Sequence, residues 1–503
     1  MPSSRDSSLV LASHFIEATR DSGYKSLGSA LAELIDNAFE AKAADVRVTI
    51  ERAGDGPRAG SVVKVSDNGT GMDGETCRNS LRFGWSSRFN ERDSFGRYGM
   101  GLPNASLSHA RRVEVFSSRD GRGGAMAYLD ADEFRDELRV TLPEATHVAP
   151  AAFHEAHPFQ SGTTVVWRKC DRLDNRKFGP LTRRLKLELG RLFRFQLWAR
   201  KKIRVNGDIV LPWDPLFERA GCGLKGAKAY GPESVYDVAS PTGRASKVRV
   251  RFTELPIAEW HSLSNQEKNA SGIAKGAGVS IVRAGREVDF GWFFMGQKRR
   301  ENYDDWWRCE VRFEPELDEL FGVTHTKQEV HPTEALSAIL VPDMEKIARD
   351  LNTRARKAFI GVKGAEARRE SEAMAERHDS LIEPPPAAVN SQQKKRVPTR
   401  RGARGLVAGL EYRLLVKKTD GVWFFEPELD GARLTVVLNE RHPFVRRGWG
   451  SASAQQNGSS RDLELLILAA ARAELMVGSD EKGKAKNQQF REIWSNVLAT
   501  FLS

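Results

Sequence analysis

The chain has 503 residues, 40% hydrophobic and 9% aromatic, with a formal net charge of +11 and a pI of about 9.4. That length exceeds one compact core and implies roughly two to four domains, and the excess of lysine and arginine points to a polyanionic partner. Four cysteines (Cys77, Cys170, Cys222, Cys309), none in a C-x-x-C pair, argue against a disulfide framework or zinc module, and the longest apolar run, Leu465 to Ala471, is too short to cross a bilayer, so a cytoplasmic protein with no membrane partner is expected.

Residues 1 to 10 are polar, and Leu11 to Arg20 reads as a short helix. Ala30 to Ala43 (ALAELIDNAFEAKA) sets Leu31, Leu34, Ile35 and Ala38 at helical spacing, which predicts an amphipathic helix. Glu33, Asp36, Asn37 and Glu40 fall three or four residues apart and share a face. With no cation before Lys42, these groups repel one another for no gain unless a divalent cation and a polyanion sit among them. Mg²⁺ takes oxygen ligands and usually keeps waters and phosphate oxygens. The Asn37 amide oxygen and a spare Glu33 carboxylate, able to accept a proton from water, suit a nucleotide triphosphatase. A solvated acidic face is the alternative that this helix alone leaves open.

Asp45 to Glu51 and Val62 to Ser66 alternate as strands. Asp67-Asn68-Gly69-Thr70-Gly71-Met72 follows, where two glycines let backbone approach a planar ligand and the carboxylate accepts a hydrogen bond. An ordinary D-N-G turn is its rival. Arg82 to Arg88 (RFGWSSR) suits a hinge. Phe95 to Asn104 (FGRYGMGLPN) is a glycine-rich loop running into a helix expected over Leu102 to Arg111, an arrangement that presents backbone N–H groups to an anion. Residues 111–116 and 124–129 read as a hairpin, His154 and His157 as loop residues, and Ser161 to Val166 as a strand that opens with hydroxyls.

In this order, these elements resemble the GHKL ATPase superfamily with its Bergerat nucleotide fold, which includes gyrase B-type subunits, ninety-kilodalton heat-shock chaperones, MutL, MORC proteins and sensor histidine kinases. The resemblance covers roughly residues 10 to 340 and implies ATP and Mg²⁺ as cofactors. It implies Glu33 as the general base and Asn37 as the Mg²⁺ ligand, with Asp36 beside them in the cofactor site. Asp67 would accept the adenine amino group with Thr163 supporting it, and Gly69, Gly71 and Met72 would line the adenine pocket. Gly96, Arg97, Tyr98, Gly99, Met100, Gly101, Leu102 and Asn104 would form the lid over the phosphates. The RFGWSSR run before G-R-Y-G-M-G-L is most similar to MORC and bacterial MORC-like proteins.

A basic helical stretch, Leu181 to Trp198, follows a sandwich expected to end near Lys169, and then Lys201 to Asp208 reads as a strand and an N-G hairpin turn. Strands are expected at Ser246 to Thr253, on both sides of the A-G turn in Val279 to Phe290, and at Trp306 to Phe313. Thr326-Lys327-Gln328 resembles the transducer loop of gyrase, MutL and MORC proteins, which implies Lys327 as a switch lysine for the γ-phosphate. Asp343 to His378 reads as a charged helix, and Glu383 to Arg404 as a Pro-rich, basic linker. Strands at 412–416, 422–426 and 434–439, with helices at Asp462 to Met476 and Phe490 to Leu502, make a small α+β domain.

The expected fold class is therefore α/β multidomain. An ATP-binding domain spans 1–175, a transducer-like domain 176–342, a charged helix 343–380, a linker 381–404 and a C-terminal domain 405–503. The resemblance, most like MutL and bacterial MORC-like ATPases with a transducer domain, implies a Mg²⁺-dependent, nucleotide-gated dimeric ATPase clamp on DNA, in genome maintenance or phage defence. An operon-encoded effector such as a nuclease is a further implied partner. A chaperone-like ATPase acting on protein clients, or an ATP-sensing scaffold, are the rival readings.

Overall fold

The computed structural model describes residues 11–21, 23–24, 26–52, 54, 60–85, 99–136, 141–173, 178–221, 223–240, 243–323, 329–383, 385, 409–448, 459–477 and 480–502. The expectations for residues 1–10, Arg88, Gly96, Arg97, Tyr98, Lys327 and linker residues 386–404 lie outside these. The chain divides into two units. The first comprises 1–256 and 262–352, the second 257–261 and 353–503.

The first unit begins with helices α1 (Ala12–Asp21) and α2 (Leu27–Glu40). Ser26 caps α2: its hydroxyl accepts the Ser29 N–H at 3.0 Å, and Ser29 Oγ accepts the Ser26 N–H at 3.2 Å. This reciprocal box satisfies donors that the first turn leaves orphaned. Leu27, Ala30, Leu31, Leu34, Ile35 and Ala38 are buried at helical spacing, and full burial of a residue such as Leu31 or Ile35 contributes roughly 1.5–3 kcal/mol. Strands β1 (Asp45–Arg52) and β2 (Ser61–Asp67) come next, then α3 (Gly74–Asn79), α4 (Gly101–Leu107), β3 (Ala110–Ser118), β4 (Gly124–Asp130) and α5 (Ala131–Arg135). After them run β5 (Thr146–Val148), α6 (Pro150–Ala156), β6 (Gly162–Cys170), α7 (Phe178–Leu192), α8 (Arg194–Trp198), β7 (Lys202–Val205) and β8 (Asp208–Ile209). The sheet order is β5-β4-β3-β6-β2-β1-β7-β8. Its inward residues, among them Val46, Val48, Val65, Val113 and Trp167, form one core with α1, α2, α4 and α7.

Two expectations change here. The sheet does not end near Lys169: β7 pairs in parallel with β1, and Ile203 and Val205 are wholly buried in the same core. Nor does the helix after the glycine loop reach Arg111. It stops at Leu107, Ser108 Oγ donates to Ala105 O at 2.7 Å, and Ala110 and Arg111 already belong to β3, where Ala110 pairs with Cys170. The buried Arg20 of α1 fixes this junction by donating to Leu107 O at 3.1 Å and Ala110 O at 2.7 Å.

A second sheet in the same unit contains β9 (Lys228–Ala229), β10 (Ser234–Ala239), β11 (Ala245–Glu254), β12 (Val279–Arg283), β13 (Arg286–Gly291) and β14 (Trp307–Phe313). Its order is β10-β11-β14-β12-β13, with β9 on β11. Ala284 and Gly285 turn β12 into β13 with φ of 46° and 79°, as a tight two-residue hairpin requires. The basic stretch at Leu181–Trp198 is not one solvated helix. It breaks at Phe193, and Arg194 turns inward, wholly buried, to reach Glu287 at 2.9 Å and Glu310 at 2.6 Å.

The helix Glu334–Asp379 starts well before Asp343 and runs through Pro342. Leu336, Leu340, Met344, Ala348 and Leu351 are buried in the second sheet's core, which outweighs the hydrogen bond the proline removes. In the second unit, β15 (Glu411–Lys417), β16 (Phe425–Asp430) and β17 (Arg433–Asn439) form a sheet ordered β15-β17-β16. β16 begins later than expected because Phe424 and Phe425 anchor its start against Trp494. Helices Ser459–Val477 and Glu481–Phe501 complete the unit, the latter capped by Asp480 and starting well before Phe490.

Candidate nucleotide site

α2 presents two different surfaces. Its apolar stripe faces the core, while Glu33 and Asp36 are 2% and 4% exposed and Asn37 is half-buried. Isolated buried carboxylates are costly, so each needs a partner of opposite charge or a set of donors. For Asp36 the partner is Arg286 of β13, whose Nε lies 2.7 Å from Asp36 Oδ2 with both side chains 4% exposed. Lys201 Nζ, 4.3 Å above the Phe39 ring, adds positive charge near Asp36. Tyr24 lies in the same neighbourhood, its phenol pushed up by burial and then by the Glu33 charge.

The loop after β2 docks on the far end of α2. Thr70 N–H donates to Ala41 O at 2.9 Å, and Asn68 Oδ1 accepts the N–H groups of Ala44 and Asp45, both at 2.8 Å. Asp67 Oδ1 accepts the Gly69 N–H at 2.8 Å. A Cβ on Gly69 would lie 2.7 Å from Ala41 O, and one on Gly71, at φ +66°, 2.0 Å from Ser118 O. Only glycine fits there. Burial pushes the Asp67 carboxyl up to about 6, against the lowering effect of the Gly69 and Thr163 backbone bonds. Thr163 pairs opposite Asp67 in the sheet. Ser117 Oγ, a residue that sequence reasoning missed, accepts the Met72 N–H at 2.8 Å and lies 2.8 Å from Thr163 Oγ1. Asp67, Gly69, Gly71, Met72 and Thr163 are thus brought together.

The end of the glycine-rich loop closes on the middle of α2. Gly99 has φ +62° and packs on Trp85 O, while Gly84 N–H donates to Gly99 O at 3.1 Å. A Cβ on Gly101 would sit 2.8 Å from Glu33 Oε2. Met100 caps α4 without a side-chain bond, Leu102 packs at the edge of the core, and Asn104 is buried with no protein partner for Oδ1. An orphaned buried amide oxygen one helical turn beyond a glycine that closes on Glu33 fits a polar ligand rather than a dry core.

A carboxylate at a strand end, an acidic helix and a glycine loop that meets it define a nucleotide-binding α/β domain of the GHKL kind. Residues 24–163 match the family described as histidine kinase-, DNA gyrase B-, and HSP90-like ATPase, so the chain carries a GHKL-type ATPase domain with MORC-like relatives. It is 33% identical over 129 residues to ATPase MORC2B of Mus musculus and to ATPase MORC2 of Homo sapiens, in each case 25% of this chain and 12% of that protein. It is 31% identical over 111 residues to Protein MICRORCHIDIA 4 of Arabidopsis thaliana, 22% of this chain and 14% of that protein. The chain therefore matches only a small fraction of the length of these relatives. A crystal structure of the N terminal domain of a DNA repair protein overlaps 67% of this chain and 98% of its own at 14% identity and a TM-score of 0.41, a likeness too loose to carry anything further. Among the described residues no helix is long and apolar enough to cross a membrane.

Proposed function

We propose that this protein is a Mg²⁺-dependent ATPase whose nucleotide lies along α2 and gates a dimeric clamp on DNA. The observation that carries the reading is the double docking on α2: the Asp67 loop bonds Ala41 at one end, and Gly101 closes on Glu33 further back. The helix between Glu33 and Ala41 spans ~12 Å, room for a base at one end and phosphates at the other. In this reading Asp67 accepts the adenine amino group, Thr163 supports it, and Gly69, Gly71 and Met72 line the base. Gly99 to Leu102 and Asn104 close over the phosphates together with Gly96, Arg97 and Tyr98. Asn37 offers an amide oxygen to Mg²⁺, which supplies charge neutralisation at the phosphates. Glu33 takes the proton of the attacking water, and Lys327 answers the terminal phosphate from the second domain. The net charge of +11 and the basic linker support a phosphate-backbone partner.

The experiment is steady-state phosphate release and ATP binding for the wild type and Glu33→Ala. The expected result is retained binding with release reduced on the order of 10²-fold or more. Equal release from both proteins removes Glu33 from the role of base.

A further inference from the structure

His157 lies in the loop after α6, yet it is only 1% exposed. Its ring packs against Phe153, with centroids 4.8 Å apart, and against Phe159, whose other neighbour is the Arg47 guanidinium at 4.2 Å. Both ring nitrogens are engaged. Nε2 donates to Ser161 O at 3.0 Å, and because a carbonyl can only accept, this nitrogen carries a proton. Nδ1 lies 2.8 Å from Thr164 Oγ1, which in turn lies 2.8 Å from Ser66 Oγ. Burial first, then the neighbouring charges of His154 and Arg47, hold the ring below its usual pKa against the raising effect of the Ser161 carbonyl, so it is neutral near pH 7.

These contacts stand directly behind the Asp67 loop. Ser66 pairs opposite Thr164 between β2 and β6, one rung from the Asp67–Thr163 pair. Successive side chains of a strand point to opposite faces of the sheet. Asp67 and Thr163 share the face of Val65 and Val165, which pack in the core with α2, whereas Ser66 and Thr164 take the face that meets His157. The two faces are joined at the Ser161–Gly162 turn, whose consecutive carbonyls are gripped from both sides. His157 holds Ser161 O from behind, and Ser117 Oγ donates to Gly162 O at 3.1 Å from the front. Gly162 has φ +126°, and a Cβ there would lie 1.9 Å from Asp67 O, so the turn sits hard against the end of β2. The next residue, Thr163, supplies a backbone bond to the Asp67 carboxylate.

We propose that His157 is a positioning residue for adenine binding, acting from the rear face of the sheet through the Ser161–Gly162 turn and the Thr164–Ser66 pair. The inference rests on the ATPase reading above, in which Asp67 accepts the adenine amino group, and adds what holds that acceptor in place. Removing the imidazole takes a donor from Ser161 O and breaks the buried chain at Thr164, a loss the turn can relieve only by shifting. A shifted turn carries Thr163 away from Asp67. The effect belongs to the base end of the site, since Glu33 lies on α2 and shares none of these bonds.

The test compares wild type with His157→Phe, which keeps an aromatic ring between Phe153 and Phe159 but forms neither hydrogen bond. Calorimetry with ADP and with a non-hydrolysable ATP analogue should show both ligands weakened by the same factor, about tenfold. Phosphate release should show KM raised in step, with kcat at saturating ATP within about twofold of wild type. His157→Gln, whose amide can donate to Ser161 O, should recover part of the affinity, a rescue that loss of packing alone would not show. Wild-type dissociation constants in folded His157→Phe overturn the proposal, even if its denaturation midpoint falls, because the histidine then only fills the core. A loss confined to kcat overturns it as well. If His157→Phe does not fold, the near-isosteric Thr164→Val cuts the same chain from the strand side, and wild-type affinity there overturns the proposal equally. A wild-type protein that binds neither nucleotide is a different result, which ends the ATPase reading itself and the proposal with it.

Discussion

Asp67 is held between opposing demands. Burial pushes its carboxyl up to about 6, while backbone donors pull it down. An acid whose folded pKa is raised above its unfolded value near 4 binds its proton more tightly when folded. Folding is therefore unpenalised below about pH 4 and loses stability as pH rises through about 6. A ligand that donates to the ionised carboxylate offsets that cost and releases the proton. Adenine-nucleotide affinity should accordingly rise between about pH 5 and pH 7, by at most roughly tenfold per unit, and Asp67→Asn should bind weakly with a flat pH profile. Calorimetric titrations at several pH values check this. At Gly101 the constraint is steric. A methyl group there meets Glu33 Oε2 at 2.8 Å, so Gly101→Ala should lower turnover by about tenfold by displacing the carboxylate proposed as the base, as a phosphate-release assay will show. Glu33, Asp67 and Gly101 were legible in the sequence because each lies within a short local motif. Arg286 was not: it belongs to a strand far along the chain, and nothing in β-strand alternation distinguishes an arginine that meets Asp36 from a solvated one.

Elements were legible where one face decides them. The β3–β4 hairpin and β12–β13 around Ala284-Gly285 form where periodicity and turn chemistry place them, and α2 forms on the expected apolar face but runs Leu27–Glu40 rather than Ala30 to Ala43, because Ser26 caps it earlier. Two of the departures come from tertiary burial. The helix Glu334–Asp379 ignores Pro342 because its apolar face continues on both sides of the proline. β7 joins the first sheet because Ile203 and Val205 have a place beside β1. Removing the α2 cap tests how much local chemistry contributes. Ser26 also donates to Glu188 Oε1 at 2.7 Å, so Ser26→Ala loses a cap and a tie to α7. It should cost about 1 kcal/mol, read as a lower midpoint in chemical denaturation with unchanged slope. Denaturation at the wild-type midpoint contradicts the assignment of that cap.

At the scale of the whole molecule, the second unit shows how a small sheet avoids an open edge. Glu372, Glu376 and Asp379, on one helix face, accept the N–H groups of Leu414, Tyr412 and Leu410 at 2.6, 3.0 and 2.7 Å. A helix thus covers the outer side of β15, and unpaired strand edges are otherwise prone to aggregate. No pattern in the sequence announces that ladder, since carboxylates at helical spacing read equally well as a solvated face. A nucleotide-gated clamp predicts that a non-hydrolysable ATP analogue shifts the protein from monomer to dimer in size analysis. Duplex DNA binding should then weaken steeply with salt, as counterion release requires. Salt-indifferent binding to unfolded protein would favour a chaperone instead. Every one of these steps depends on a nucleotide resting on α2. The most direct measurement is calorimetric titration of the full chain with a non-hydrolysable ATP analogue and Mg²⁺. The account predicts saturable binding at one site per chain, weakened by Asp67→Asn and retained by Glu33→Ala, and a folded wild-type protein that binds no adenine nucleotide contradicts it.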